Sequence, residues 1–127
     1  MTVPLIHIFS ASVKEGKLEG LKEYAEEHIA FTEAKAPKLL AFHYYLSEDG
    51  RRVSVVQVHP DADHMDLFMR EVVAEHGAKA YEFLEHDERS DAFGALNEAT
   101  QAAIRQYGVD LRLRPYHLGG FTRLGAQ

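Results

Sequence analysis

The chain contains no cysteine and no tryptophan, and its 127 residues include a single asparagine, Asn97. Without cysteine there can be no disulfide, no thiolate metal site and no cysteine nucleophile. No apolar run approaches the roughly 20 residues that a membrane-spanning helix needs. The opening MTVPLIHIFSAS lacks a basic segment followed by a long apolar one, so no signal peptide is expected and the expected location is cytoplasmic. Positive charge is also scarce. The formal net charge is -6, and Arg112, Arg114 and Arg123 are too sparse a cluster to suggest a nucleic-acid partner. There is no internal repeat and no low-complexity segment.

What is present suits one domain over residues 1–127 with a single core. Histidine stands out, with eight residues, because imidazole titrates near neutrality and binds metals. The organising stretch is Leu39 to Asp61, LLAFHYYLSEDGRRVSVVQVHPD. Two runs rich in β-branched and aromatic residues flank Glu48-Asp49-Gly50, the pattern of a β-hairpin.

Around it, Leu5 to Val13 reads as the first strand. Leu18, Leu21, Ala25, His28, Ile29 and Thr32 give a helix one apolar face, and Pro37 ends that helix. After the hairpin, Asp61 or Asp63 can cap a second helix with Met65, Phe68, Met69, Val72, Val73 and His76 as its inner stripe. Gly77 predicts a stop or kink. Glu85 to Asp91, EHDERSD, reads as an exposed charged segment. Leu96 to Tyr107 predicts a further helix closed by Gly108, and Val109 to Leu118 the last strand, which lies at an edge or bends at Pro115.

The order strand, helix, strand, strand, helix, strand is the split βαβ pattern of a ferredoxin-like α+β domain. It predicts a four-stranded antiparallel sheet with an extra helix before the last strand. Right-handed crossovers would put the helices on one face. Ile6 and Ile8 lie on one side of strand one, and Leu5 and Phe9 on the other. Strand two likewise sets Phe42 and Tyr44 against Ala41, His43 and Tyr45. A sheet apolar on both faces but covered on one predicts a homodimer packed sheet against sheet.

This element order, the two-sided sheet and the closing GGFTRL resemble the dimeric α+β barrel superfamily, and within it the antibiotic biosynthesis monooxygenase-like domains. The resemblance is one of pattern and covers nearly the whole chain. It implies a homodimer that binds a small aromatic phenol or quinol and oxidises it with O₂, using no metal and no flavin cofactor. A haem-degrading branch of that group relies on an Asn, Trp and His set, which this chain lacks. The alternative is a non-catalytic ligand-binding or stress-related protein of the same fold.

Candidate chemistry centres on the polar strand residues His7, His43, Tyr45, Gln57 and His59. A three-residue loop, Glu48-Asp49-Gly50, would place Tyr45 opposite Val53 and His43 opposite Val55. His43, Tyr45, Gln57 and His59 would then share one face. A two-residue Asp49-Gly50 loop would move Gln57 and His59 to the face of Phe42 and Tyr44. The longer loop is preferred because it groups the polar residues into a pocket for an aromatic ligand. The commoner role of such residues is hydrogen bonding within the sheet.

His28 points inward from the first helix and could approach His76, where a neutral imidazole could act as a base. More often such a histidine caps a helix or bonds a carbonyl. His64 and His76 are too far apart along the helix to bind a metal together. No HxH or HxxxH spacing occurs, so no metal site is expected. Arg112 and Arg114 point the same way and could hold an anion, although surface ion pairs are their commoner role. The expected site therefore has His43 and His76 as catalytic groups. His7, His28, Tyr45, His59, Phe68 and Arg112 would contact substrate.

Overall fold

The computed structural model describes residues 3–123. Strand β1 (Leu5–Ser12) leads into helix α1 (Leu18–Lys35), then the hairpin β2 (Ala41–Leu46) and β3 (Arg52–His59). A long helical stretch follows. It starts as α2 (Ala62–Phe68), loosens into a π-helical turn (Met69–Val73), resumes as α3 (Ala74–His76) and tightens into a 3₁₀ segment (Gly77–Glu82). Strand β4 (Arg89–Phe93), helix α4 (Glu98–Gln106) and strand β5 (Asp110–Arg114) complete the chain.

The five strands form one sheet in the order β2-β3-β1-β4-β5. Neighbours among the first four are antiparallel, as a ferredoxin-like unit requires, and β5 runs parallel to β4. This corrects the sequence expectation of four antiparallel strands. The strand beside β1 is Arg89–Phe93, which comes from the segment expected to be an exposed charged loop. Its charges explain how it can be a strand. Ser90 and Ala92 are buried on one face, while Arg89 and Asp91 pair on the other at 3.0 Å, and Arg114 reaches Asp91 at 2.8 Å. Glu88, just before the strand, is 3% exposed and accepts the Tyr81 hydroxyl. The expected last strand is present in part as β5, at the sheet edge; it ends at Arg114, and Pro115 to Leu118 lie beyond it. Of the closing GGFTRL, Leu124 lies outside the described residues.

Helix ends follow local rules. Asp61 caps α2, its Oδ1 accepting from the His64 backbone N–H at 2.8 Å. Gly108 closes α4 at φ +78°. On α1 the buried stripe is Leu21, Tyr24, His28 and Thr32, so Tyr24 takes the inner place expected for Ala25, and Ile29 stays partly exposed. Gly20 lets α1 approach the 3₁₀ segment, because a Cβ there would sit 2.7 Å from Phe83 Cε1.

Two apolar clusters make the core. One joins Leu5, Met65, Phe68, Met69, Val72, Ala92, Leu96 and Ile104. The other joins Ala11, Leu21, Tyr24, Val53, Phe83 and Leu84. No helix among the described residues is long and apolar enough to cross a membrane. Met65 is fully buried in the first cluster. Met65→Ala should therefore cost about 2–5 kcal/mol, read as a lowered urea midpoint. A loss well below that range would show that α2 does not anchor this cluster.

Candidate functional site

The hairpin loop decides which side chains can meet. Gly50 N–H donates to Ser47 O at 2.9 Å, and Ser47 N–H to Arg52 O at 2.8 Å, leaving Glu48–Arg51 as the loop. Gly50 takes φ +73°, which a residue with a side chain rarely adopts. Asp49 Oδ1 accepts from Ser47 Oγ at 2.7 Å and from Arg51 N–H at 3.0 Å, and these bonds, the backbone one foremost, hold its carboxyl below the usual range. The resulting register pairs Phe42 with Gln57, His43 with Val56 and Tyr44 with Val55. A four-residue loop has the same parity as a two-residue one. The preferred three-residue register is thereby corrected: Gln57 and His59 face the helices with Phe42 and Tyr44, and His43 and Tyr45 lie on the opposite face.

Between the sheet and its helices lies a cavity of about 120 Å³. It occupies the gap between the two core clusters, bordered by Leu21 and Leu84 from one and by Phe68, Met69 and Ile104 from the other. The sheet contributes His7, Phe9, Tyr44, Val55, Gln57 and Ser90. The π-helical turn brings Met69 and Val73 to the wall, and such turns recur at functional sites.

On the helix side, His28 is 8% exposed. Its Nδ1 lies 2.7 Å from the Tyr44 hydroxyl, and its Nε2 is buried with no partner among the described residues. His28 stacks on His76 at 5.0 Å between ring centres, and His76 stacks in turn on Phe31 at 4.7 Å. The expected approach of His28 to His76 is thus observed. His76 Nδ1 is also buried and without a partner among the described residues. Burial, with the neighbouring His76, lowers the pKa of His28 to about 4. Burial likewise raises that of Tyr44, with Tyr24 adding to it. His28 is therefore neutral at pH 7. When Nδ1 carries the proton and donates it to Tyr44, Nε2 is a bare acceptor.

On the sheet side, His7 has both nitrogens occupied: Nδ1 is 3.1 Å from Gln57 Oε1 and Nε2 is 2.9 Å from Ser90 Oγ. His59 Nε2 lies 3.1 Å from the same Gln57 oxygen. An amide oxygen only accepts, so both rings donate to it, and the Ser90 hydroxyl donates to His7. Desolvation lowers the pKa of His7 against the raising effect of Gln57, and it lowers that of His59 to about 3 with His7 adding to it.

Of the residues expected at the site, His7, His28 and Phe68 border this cavity. His76 stacks behind His28. His59 is joined to the cavity through Gln57 and borders a second, outer groove with His64, Leu67 and Phe68. His43 and Tyr45 do not meet them. They are exposed on the helix-free face, Tyr45 at 60%. Arg112 is on that face too, paired with Asp110 at 3.1 Å. Sequence reasoning missed Tyr24, Tyr44 and Ser90. The alternation of Ser90 and Ala92 with Arg89 and Asp91 was the available signal for Ser90. Among the described residues no group of three or more His, Asp or Glu is placed to hold a metal ion.

No protein-family model and no curated protein matches the chain. Solved structures do. MupZ from Pseudomonas fluorescens superposes with a TM-score of 0.73 at 16% identity, over 97% of this chain and 91% of its own. A Nitrosomonas europaea protein provisionally named an antibiotic biosynthesis monooxygenase gives 0.65 at 15% identity, over 77% and 95%. A second protein of that organism, of unknown function, gives 0.61 at 15% identity, over 74% and 90%. The fold is therefore the one shared by these α+β structures.

The buried imidazoles make stability depend on pH with a definite sign. The unfolded chain binds protons at histidine below pH 6.5, whereas folded His28 does so only near pH 4. Stability is then complete above pH 6.5 and falls as the pH drops toward 4, by on the order of 3 kcal/mol from His28 alone. Urea midpoints measured between pH 7.5 and 4 should decrease in that window, and the His28 ring should stay neutral by NMR down to about pH 5. A flat profile, or a ring that titrates near 6.5, would refute the desolvated placement.

Proposed function

We propose that the protein binds a small aromatic hydroxyl compound in the cavity between sheet and helices, as a monooxygenase-like protein that needs neither metal nor flavin. One observation carries this reading: an apolar cavity bordered by a buried, neutral imidazole whose Nε2 has no partner among the described residues. A phenol offers such a cavity an apolar ring and one donor. His28 Nε2 would take the phenolic proton, with Tyr44 holding the ring orientation through Nδ1. His76, stacked on His28, keeps water from the far side of the imidazole. O₂ is the oxidant and the substrate itself supplies the electrons. The apolar walls shield the electron-rich anion from protonation by water. The shared fold supports the reading as an analogy only.

The same proposal includes a homodimer through the helix-free face of the sheet. Ile6, 37% exposed, lies there with Ile8, Val56 and Val58, and no helix among the described residues packs on that face. Arg52, Arg89, Arg112 and Arg114 share that face with Asp87, Asp91 and Asp110. A surface carrying both signs and an apolar centre is suited to a second copy of itself across a two-fold axis.

Titration with a phenolic or quinone probe tests the site. His28→Phe should weaken binding by about tenfold, the loss of one hydrogen bond to a buried group, with the fold retained. His43→Phe should leave it unchanged, because His43 is on the opposite face. Equal affinities for the wild type and His28→Phe would remove the cavity from consideration. Consumption of O₂ with a quinol then separates an oxygenase from a binding protein. Sedimentation at micromolar concentration should give twice the chain mass, and Ile8→Arg should reduce it to one. A wild-type monomer would refute the self-paired face.

A further inference from the structure

The Ser90–His7–Gln57 row takes no part in that reading, and its geometry is specific. A serine hydroxyl donates to one nitrogen of an imidazole at 2.9 Å, and the other nitrogen donates to a side-chain carbonyl at 3.1 Å. That is the order nucleophile, base, orienting acceptor. Gln57 Oε1 can only accept, which holds the proton on His7 Nδ1 and leaves Nε2 basic toward Ser90. All three residues border the cavity, from adjacent strands β4, β1 and β3. A purely structural serine in that position needs no unprotonated imidazole nitrogen opposite its hydroxyl. A backbone carbonyl would serve.

We propose that the cavity supports a second, acyl-transfer activity, in which Ser90 is the nucleophile, His7 its base and Gln57 the positioning residue. Its substrates are esters or thioesters with a short acyl group. Ser90 Oγ bonds to the carbonyl carbon as its proton passes to His7 Nε2. The tetrahedral adduct collapses by breaking the bond to the leaving oxygen or sulfur, which takes the proton from His7. The product is an ester on Ser90 plus an alcohol or thiol. Water, deprotonated by His7, then releases the acid and restores the serine. No oxidant or other co-reactant is involved. The size of the acyl group follows from burial: Ser90 is 1% exposed, so only a small acyl carbon reaches Oγ. The apolar wall beside it, with Phe9, Ile104 and Val109, favours an uncharged substrate.

The row differs from the familiar triad in having an amide where a carboxylate stands. An amide keeps the tautomer but does little to stabilise the imidazolium that forms during attack. Slow acylation is therefore expected, and a carboxylate at position 57 should speed it. A merely structural role for Gln57 predicts no such gain.

The test incubates the full chain with p-nitrophenyl acetate and follows nitrophenolate release, intact mass and peptide mapping. The wild type should gain one acetyl group at Ser90. Ser90→Ala, whose melting temperature reports that it is folded, should gain none. His7→Gln should slow acylation by at least about a hundredfold. Gln57→Glu should accelerate it, and His43→Phe, on the opposite face of the sheet, should leave it in place; phenol binding is read separately on His28, so either result can fail without the other. A folded wild type that is not acetylated and releases nitrophenolate no faster than Ser90→Ala overturns the proposal. So does a label that maps to another residue or persists in Ser90→Ala.

Discussion

The register of one hairpin determines the chemistry of this molecule. Phe42 pairs with Gln57, and because side chains alternate faces along a strand, that single pairing assigns every residue of β2 and β3 to the helix side or the open side. Tyr44, Gln57 and His59 turn inward, and His43 and Tyr45 turn outward. The register rests on an exposed loop in which Asp49 accepts from two neighbours and Gly50 adopts a left-handed backbone. Because β1 also holds β3 in register, slipping β2 by one residue would turn Tyr44 outward and remove the hydroxyl that meets His28. It would leave the buried His28 ring without its partner, at a cost of about 1–3 kcal/mol.

Much of the fold was legible because its signals are local. Helical periodicity, Asp61 as a cap, Pro37 as a stop and Gly108 as a left-handed terminus all depend on neighbours in sequence. Strand β4 was only faintly legible, in the alternation of Arg89 and Asp91 with Ser90 and Ala92, because part of what lets it lie inside the sheet comes from β5. Asp91 is neutralised by Arg89 beside it and by Arg114 from β5, and neither pairing shows in local hydropathy. The site was half legible for a related reason. His28 meeting His76 follows from two helical stripes facing one core. Whether His43 or Tyr44 faces that core depends on loop parity, and Glu48-Asp49-Gly50 is compatible with more than one loop length.

The clustering of histidine in the interior has a consequence for charge. His7, His28 and His59 all sit where desolvation outweighs every neighbouring carboxylate, so each favours the neutral ring. Neutral imidazoles can serve as hydrogen-bonding cross-links at pH 7 without the large cost of buried charge. They also keep one basic nitrogen each. Outside this layer Asp87, Asp91 and Asp110 pair with Arg52, Arg89, Arg112 and Arg114 on the open face.

The two walls of the cavity differ in how completely that cross-linking is satisfied. On the sheet wall His7 spends both nitrogens on protein partners, so that wall is closed as a hydrogen-bonding unit. On the helix wall His28 spends only one, and its Nε2, buried and without a partner among the described residues, carries a desolvation penalty. A donor placed there recovers that penalty in addition to its own hydrogen bond, whereas a donor aimed at His7 must first displace Ser90. Selectivity for a hydroxyl-bearing ligand over its hydrocarbon counterpart is then set by the helix wall, and the sheet wall sets the ligand's shape. The π-helical turn bears on the same wall, since it brings Met69 and Val73 to the cavity edge. Restoring regular α-helix there would rotate these side chains relative to α2, altering the space beside His28 without touching any of its hydrogen bonds.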